Sequence, residues 1–169
     1  MTTTPVRTDP PMSAGEREQL TSFLDFLRET VVLKCSGLTD AQARSAHVPS
    51  ELTTIAGLLG HLTYVERYWF HVVLHGGEDI WKERLAADPD AEFRAAMTTP
   101  VTELIAGYQA QCASSRRIAE PLDLAGEVTF CGEGRINLRW VVTHMIEETA
   151  RHLGHLDLLR ELTDGTTGE

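Results

Sequence analysis

The chain has 169 residues, of which 42% are hydrophobic, and a formal charge of −10. This length and apolar content predict one domain, which we expect to span residues 13–165. The negative charge is spread over the chain without a basic cluster, which argues against nucleic acid and anionic membranes as partners. The chain also lacks both a run of about 18 apolar residues and the apolar core of a signal peptide, so we expect a cytoplasmic protein.

The first half of the chain predicts two long amphipathic helices. Residues 1–12 contain three prolines and little that can pack, so they are expected to form a flexible arm. A capping-box pattern at Ser13–Glu16 predicts a helix that continues to about residue 35. A second capping box, Thr39–Gln42, predicts a short helix. Apolar residues at three-and-four spacing then predict a long helix over about residues 54–74.

The second half predicts two more long helices. Residues 78–97 are expected to form a long connection with room for one helical turn. Thr99 as N-cap and Pro100 as first helical residue predict a third long helix to about residue 119. Residues 121–135 read as a glycine-punctuated loop with a short extended piece at 128–130, and the last helix is expected over about 137–162, before a tail at 166–169. Four long helices predict an all-α fold, a four-helix bundle.

The three cysteines lie far apart and form no CxxC pair; they are Cys35, Cys112 and Cys131. An odd number at this spacing argues against a disulfide framework or a zinc ribbon. We expect buried or tolerated thiols, and Cys131 draws attention because it lies in the glycine-rich loop.

Polar residues of the last helix point in different directions. At about 100° per residue, His152 falls in the middle of the apolar stripe, Glu148 about 40° away, His155 about 60° and His144 about 80°. Glu147 falls near the opposite face. Glu147 is therefore expected in solvent, whereas Glu148 is directed into the bundle.

An inward carboxylate must be protonated, hydrogen-bonded, paired or bound to a cation, because burying an unpaired charge costs several kcal/mol, roughly. His61 also leans into the core from the second long helix, so it can meet Glu148 and His152. Two imidazoles and one carboxylate form the ligand set of open catalytic zinc sites and of non-haem iron sites. The same three groups could instead satisfy one another by hydrogen bonds without a metal, and residue types alone leave both readings open.

Two metal motifs are absent. A di-iron carboxylate bundle needs a histidine three residues after an inward glutamate, and the residues at those positions are Ala150 and Arg151. A thermolysin-like HExxH motif fails because Met145 follows His144.

Three segments resemble the DinB-like superfamily of metalloenzymes, and most closely its actinobacterial branch typified by the mini-circle protein. They are PPMSAGEREQLTSFLDFLRETVVLKCSGLTDAQARSAHVPS, LTTIAGLLGHLTYVERYWF and WVVTHMIEETARHLGHLDLLRELTDG. The resemblance covers nearly the whole chain and implies a four-helix bundle of DinB-like type.

The resemblance also implies a divalent metal held by His61, Glu148 and His152, with zinc favoured and nickel, iron or manganese as alternatives. Many members carry histidine where this chain has Glu148, but the related mycothiol-dependent maleylpyruvate isomerase uses His, Glu and His on zinc. Relatives often carry a histidine at the position of His144, which we expect to line a pocket or to contact a ligand residue.

Several relatives use the metal to activate a low-molecular-weight thiol, and the resemblance therefore implies mycothiol as a co-substrate and a small electrophile as substrate. Two lysines against thirteen arginines fit a GC-rich actinobacterial genome, and so mycothiol. Water activated by the metal is the other nucleophile to consider.

A substrate pocket could be shaped by Arg151, His155, Trp69 and the 121–135 loop. Surface pairing or core packing explains the presence of each of them as well. The alternative to an enzyme is a non-catalytic, stress-related binding or dimerisation bundle whose polar cluster is structural. A homodimer is expected because closed two-fold dimers are the commonest oligomers.

Overall fold

The computed structural model describes residues 7–130, 132 and 134–168, and it confirms an all-α bundle. The second of its four long helical segments changes from α-helix to π-helix at Arg67. The long segments are α1 (Glu16–Cys35), α3 (Ile55–Glu66) with its π-helical continuation (Arg67–Leu74), α6 (Val101–Ala119) and α7 (Leu138–Asp164). α1 packs along α7, and α3 packs against α6 and α7. Among the described residues, no helix has the length and apolar character needed to cross a bilayer.

The shorter elements depart from the predicted connections. The 78–97 segment holds two short helices, α4 (Lys82–Ala87) and α5 (Ala91–Ala96), rather than one turn. The 121–135 segment contains strand β1 (Glu127–Phe130), which pairs antiparallel with β2 (Gly134–Asn137). Each of these elements has only four to six residues, and so brief a pattern carries little periodic signal.

Helix boundaries follow side-chain capping in some places only. The predicted capping box at Ser13 does not form: α1 begins at Glu16 behind Gly15, which has no side chain to accept a hydrogen bond. The second predicted capping box is present, with Thr39 and Gln42 bonded reciprocally at the start of α2 (Asp40–Ala43).

The start of α6 is capped from another helix. Pro100 is the N-cap residue rather than the first helical residue, and Val101 begins the helix. The Val101 amide donates to the Asp40 carboxylate at 2.8 Å. A long-range contact therefore replaces the local cap expected from Thr99.

Two glycines allow α5 to approach α3 closely. A Cβ added at Gly60 would lie 2.6 Å from the Cβ of Ala96 and 3.2 Å from the carbonyl oxygen of Glu92. A Cβ at Gly57 would lie 3.1 Å from the ring of Phe93. Since a substitution at Gly60 would collide with α5, glycine here sets the spacing of the two helices.

The core contains a buried ion pair between Arg28 and Glu66. Arg28 of α1 donates two hydrogen bonds to the carboxylate of Glu66, at 2.7 and 2.8 Å, where α3 passes into its π-helical continuation. Glu66 is 0% exposed. Bidentate pairing satisfies both groups, and loss of either partner would leave an uncompensated buried charge.

The structure describes two of the three cysteines and part of the predicted N-terminal arm. Cys35 and Cys112 are buried free thiols, as predicted, and Cys131 lies outside the described residues. Within the predicted arm, residues 1–6 also lie outside the described residues, whereas the Arg7 guanidinium lies 4.6 Å from the centre of the Phe26 ring.

Candidate metal centre

The structure brings the three predicted ligand residues together. His61 extends from α3, and Glu148 and His152 extend from successive turns of α7. Oε1 of Glu148 lies 3.2 Å from Nε2 of His61 and 3.2 Å from Nε2 of His152. One potential ligand atom from each residue lies within 4.8 Å of the others. The two histidine rings meet edge to face, with centroids 4.9 Å apart.

The cluster sits at the edge of the apolar stripe of α7. The stripe is formed by the buried side chains of α7, among them Met145 and Leu156. Its centre lies about 40° from His152 around the helix axis, on the side away from Glu148. The prediction that His152 occupies the middle of the stripe is therefore wrong by about 40°. The three side chains are each 15–18% exposed, so small molecules can reach them from solvent.

Glu92 of α5 joins the cluster from behind His61. The sequence analysis does not predict this contact, because it assigns residues 78–97 to a connection. The Nδ1–H group of His61 donates to Oε1 of Glu92 at 3.1 Å. Glu92 is 5% exposed, and its Oε2 atom has no hydrogen-bond partner within the described part of the chain. A carboxylate on Nδ1 holds a metal-binding imidazole in the tautomer whose Nε2 lone pair is free. Phe93 fixes the ring plane further by stacking on His61 at 4.8 Å.

Without a metal, protons hold the cluster together. Burial lowers the pKa of His61, but hydrogen bonds to Glu148 and Glu92 outweigh it and raise the pKa above its usual value. Hydrogen bonds from His152 and His61 hold the pKa of Glu148 far below its usual range. Both ring nitrogens of His61 face a carboxylate oxygen, so the protonated ring can donate to Glu148 and Glu92 at once.

The donor set fits a divalent ion. A tetrahedral ion with bonds of about 2.1 Å separates its ligand atoms by about 3.4 Å, close to the 3.2 Å from Glu148 to each imidazole. The spacing of up to 4.8 Å within the cluster requires a small side-chain movement. The charges also fit, since two carboxylates and two neutral imidazoles become electrically neutral with one divalent ion.

The other predicted site residues divide into two groups. Nδ1 of His155 lies 3.4 Å from Nδ1 of His152, where it can orient that ring much as Glu92 orients His61. Arg151 forms an ion pair with Glu147 on the exposed face of α7 and does not join the cluster. Glu147 itself is exposed, as predicted.

Trp69 and His144 belong to an aromatic cluster beside the candidate metal centre. The His144 ring stacks on Trp140 at 5.0 Å and meets Trp69 edge to face at 4.9 Å. Phe130 of β1 also stacks on Trp69, with ring centroids 5.5 Å apart. We call Trp69, Phe130, Trp140 and His144 the aromatic wall. Trp69 lies in the π-helical segment, a conformation that is frequent at functional sites.

The fold and the cluster together define a helical-bundle protein with a candidate His/Glu site for a divalent metal. The model of the family described as Mycothiol-S-transferase matches residues 19–165. The chain therefore belongs to the mycothiol S-transferase family, within the DinB-like superfamily. No curated protein matches the chain.

Proposed function

We propose that the protein is a metal-dependent mycothiol S-transferase, in which His61, Glu148 and His152 hold a divalent ion and the thiol of mycothiol attacks a small electrophile. The observation that supports it most is the convergence of these three side chains, with Glu92 behind His61, in a chain of this family. Zinc suits two nitrogen donors and one oxygen donor, and nickel, iron and manganese accept the same set.

A bound divalent ion would supply a Lewis acid that favours the thiolate, which is the reactive form of a thiol. The chain's own residues would prepare this chemistry. Glu92 keeps the proton of His61 on Nδ1, so that Nε2 is available as a ligand. Glu148 lowers the net charge of the site by one, and the Phe93 ring covers one face of His61.

In the proposed reaction, the thiol releases its proton to solvent and its sulfur forms a bond to an electrophilic carbon. With a substrate that carries a leaving group, that group departs with its bonding electron pair; with an unsaturated carbonyl, the neighbouring carbon takes up a proton. Neither course needs an oxidant or a reductant. Water in place of the thiol would give a hydrolase, which is the second enzymatic candidate.

A non-catalytic bundle is the competing proposal, and one observation favours it. Both imidazoles donate to Oε1 of Glu148, so the carboxylate is satisfied without a metal. On this view the cluster would stabilise the packing of α3 on α7, and the protein would serve as a stress-related binding or dimerisation module.

Metal content separates these proposals. Protein purified without an affinity tag should contain close to one equivalent of a transition metal, and adding that metal to stripped protein should raise the unfolding temperature. Less than about 0.2 equivalents, with no stabilisation by zinc, nickel or iron, would favour the non-catalytic bundle.

A thiol-transfer assay then tests the reaction. Metal-loaded protein should accelerate the addition of mycothiol to monochlorobimane above the rate of stripped protein. Background rates with mycothiol, bacillithiol and glutathione alike would reject thiol transfer and favour a hydrolase. We also propose a homodimer, and a monomeric mass by light scattering at micromolar concentration would reject it.

A further inference from the structure

A row of side chains on α7 leads away from the candidate metal centre. His152, Glu148, His144 and Trp140 follow at intervals of four residues, so each side chain lies one turn from the next and is rotated from it by about 40° around α7. Trp69 of the π-helical segment faces the far end of this row, with its ring 4.9 Å from His144 and 5.2 Å from Trp140. The aromatic wall therefore begins one helical turn from Glu148, at His144, and extends away from the candidate metal centre.

The aromatic wall is open to solvent at Trp140, whereas Trp69 and Phe130 pack against the core. Trp140 remains 49% exposed although its ring contacts both Trp69 and His144. Phe130 closes the wall from β1. Large aromatic rings that are held in place and still open to solvent are suited to stacking against a ligand.

The distance between the candidate metal centre and the aromatic wall restricts what can reach both. Eight residues separate Glu148 from Trp140, about 12 Å along an α-helix. Mycothiol carries its thiol on an acylated cysteine that is joined through glucosamine to inositol. The chain from sulfur to the inositol ring has about eight bonds, which extend to about 10 Å. A thiol at the metal centre would therefore place the sugar rings at the aromatic wall.

We propose that the aromatic wall binds the glucosaminyl-inositol part of mycothiol, an inference that rests on the proposed function. The C–H groups on one face of a sugar or inositol ring are weakly positive and stack on the negative face of an aromatic ring. The hydroxyl groups stay hydrated on the open side. The wall would thus distinguish mycothiol from smaller thiols, whereas the metal centre acts on any thiol that reaches it.

The kinetic test compares Trp140→Leu with Phe23→Leu, a control on α1 that removes an aromatic ring of nearly equal exposure, 48%. Monochlorobimane is the electrophile, and mycothiol and N-acetylcysteine, which lacks the sugars, are the two thiols. Trp140→Leu should raise the KM for mycothiol and reduce the preference for mycothiol over N-acetylcysteine about 2–10-fold, the range expected for one lost stacking contact. Phe23→Leu should leave the preference unchanged.

Two kinetic outcomes would overturn the proposal. An equal loss of turnover with both thiols would mean that Trp140 supports the fold or the metal centre rather than the sugars. A higher KM for monochlorobimane alone would assign the wall to the electrophile. Metal content is measured on every variant, so that a loss of the ion is recognised directly.

A binding measurement separates this proposal from the proposed function. Titrating glucosaminyl-inositol, which has no thiol, should change the tryptophan fluorescence of both metal-loaded and metal-stripped protein, and Trp140→Leu should abolish the change. Such binding without any turnover of mycothiol would reject the transferase and retain the sugar subsite. Turnover of mycothiol with no binding of the sugar fragment, and with an unchanged preference in Trp140→Leu, would reject the subsite and retain the transferase.

Discussion

Replacing Glu92 with glutamine should weaken metal binding without destroying the site. The change keeps the volume of the side chain and an acceptor oxygen near Nδ1 of His61, but it removes the negative charge that makes the imidazole a better ligand. Partners of this kind typically contribute about 10–100-fold in metal affinity, which corresponds to about 1.4–2.7 kcal/mol. The low exposure of Glu92 and the 3.1 Å contact argue for the upper half of that range.

The assay is a competition titration of zinc against a chromophoric chelator, with Glu147→Gln as the matched control. Glu147 lies beside Glu148 in sequence but pairs with Arg151 in solvent, so its replacement should change the affinity less than twofold, roughly. An affinity of Glu92→Gln within about twofold of the unmodified protein would refute the role of Glu92 in orienting His61. Complete loss of the metal, with folding intact, would mean that Glu92 is itself a ligand.

The remaining predictions concern the ligands, pH, the thiols and the glycine spacing. His152→Ala and His61→Ala should abolish metal binding, and Glu148→Gln should weaken it strongly. His144→Ala and His155→Ala should lower the metal affinity by no more than about 10–100-fold. The reverse order in the same titration would show that the ligand assignment is wrong. Because the pKa of His61 is raised in the fold, protonation of His61 stabilises the metal-free protein at low pH. This stabilisation is lost as the pH rises through the folded-state pKa, and protons then compete less with the metal. The rise in unfolding temperature caused by zinc should therefore be larger at pH 8 than at pH 6. Burial raises the pKa of Cys35 and of Cys112 to about 12, so peptide mapping after iodoacetamide treatment at pH 8 should find both unmodified in folded protein and modified in urea; ready labelling of either in folded protein would contradict its burial. Gly60→Ala should destabilise the protein by about 1–3 kcal/mol in urea denaturation and weaken zinc binding. The control Gly154→Ala has open space around its Cβ and should stabilise α7 by up to about 1 kcal/mol. Equal effects of the two substitutions would contradict the close approach of α5.

The proximity of the three candidate ligand residues could be predicted from the sequence because it depends on local helix geometry. Glu148 and His152 share a helix face by their spacing alone, and His61 follows from the apolar pattern around it. The bundle follows from the same periodicity. The angular error at His152 arose because Val142, Thr149 and Leu153 are also buried and move the stripe away from Glu148.

Glu92 was beyond sequence reasoning because its role depends on a contact between separate elements. Its helix has six residues, too few for a clear periodic pattern, and it meets His61 only because Gly60 admits α5 against α3. The start of α6 shows the same difficulty, since Asp40 caps it from α2 across the fold. The short extended piece at 128–130 was anticipated, but its partner strand was not.

The placement of Glu92 divides the candidate centre into two parts of different origin. The bundle helices α3 and α7 contribute all three candidate ligand residues, whereas the connection between bundle helices contributes the carboxylate that contacts one of them. Bundle helices are constrained by the core on every turn, but a surface connection tolerates substitution and changes of length. Substitutions confined to this connection could therefore change the metal affinity of the site, and the Lewis acidity of a bound ion, without repacking the bundle. An attempt to engineer a new metal preference would therefore begin with residues 78–97.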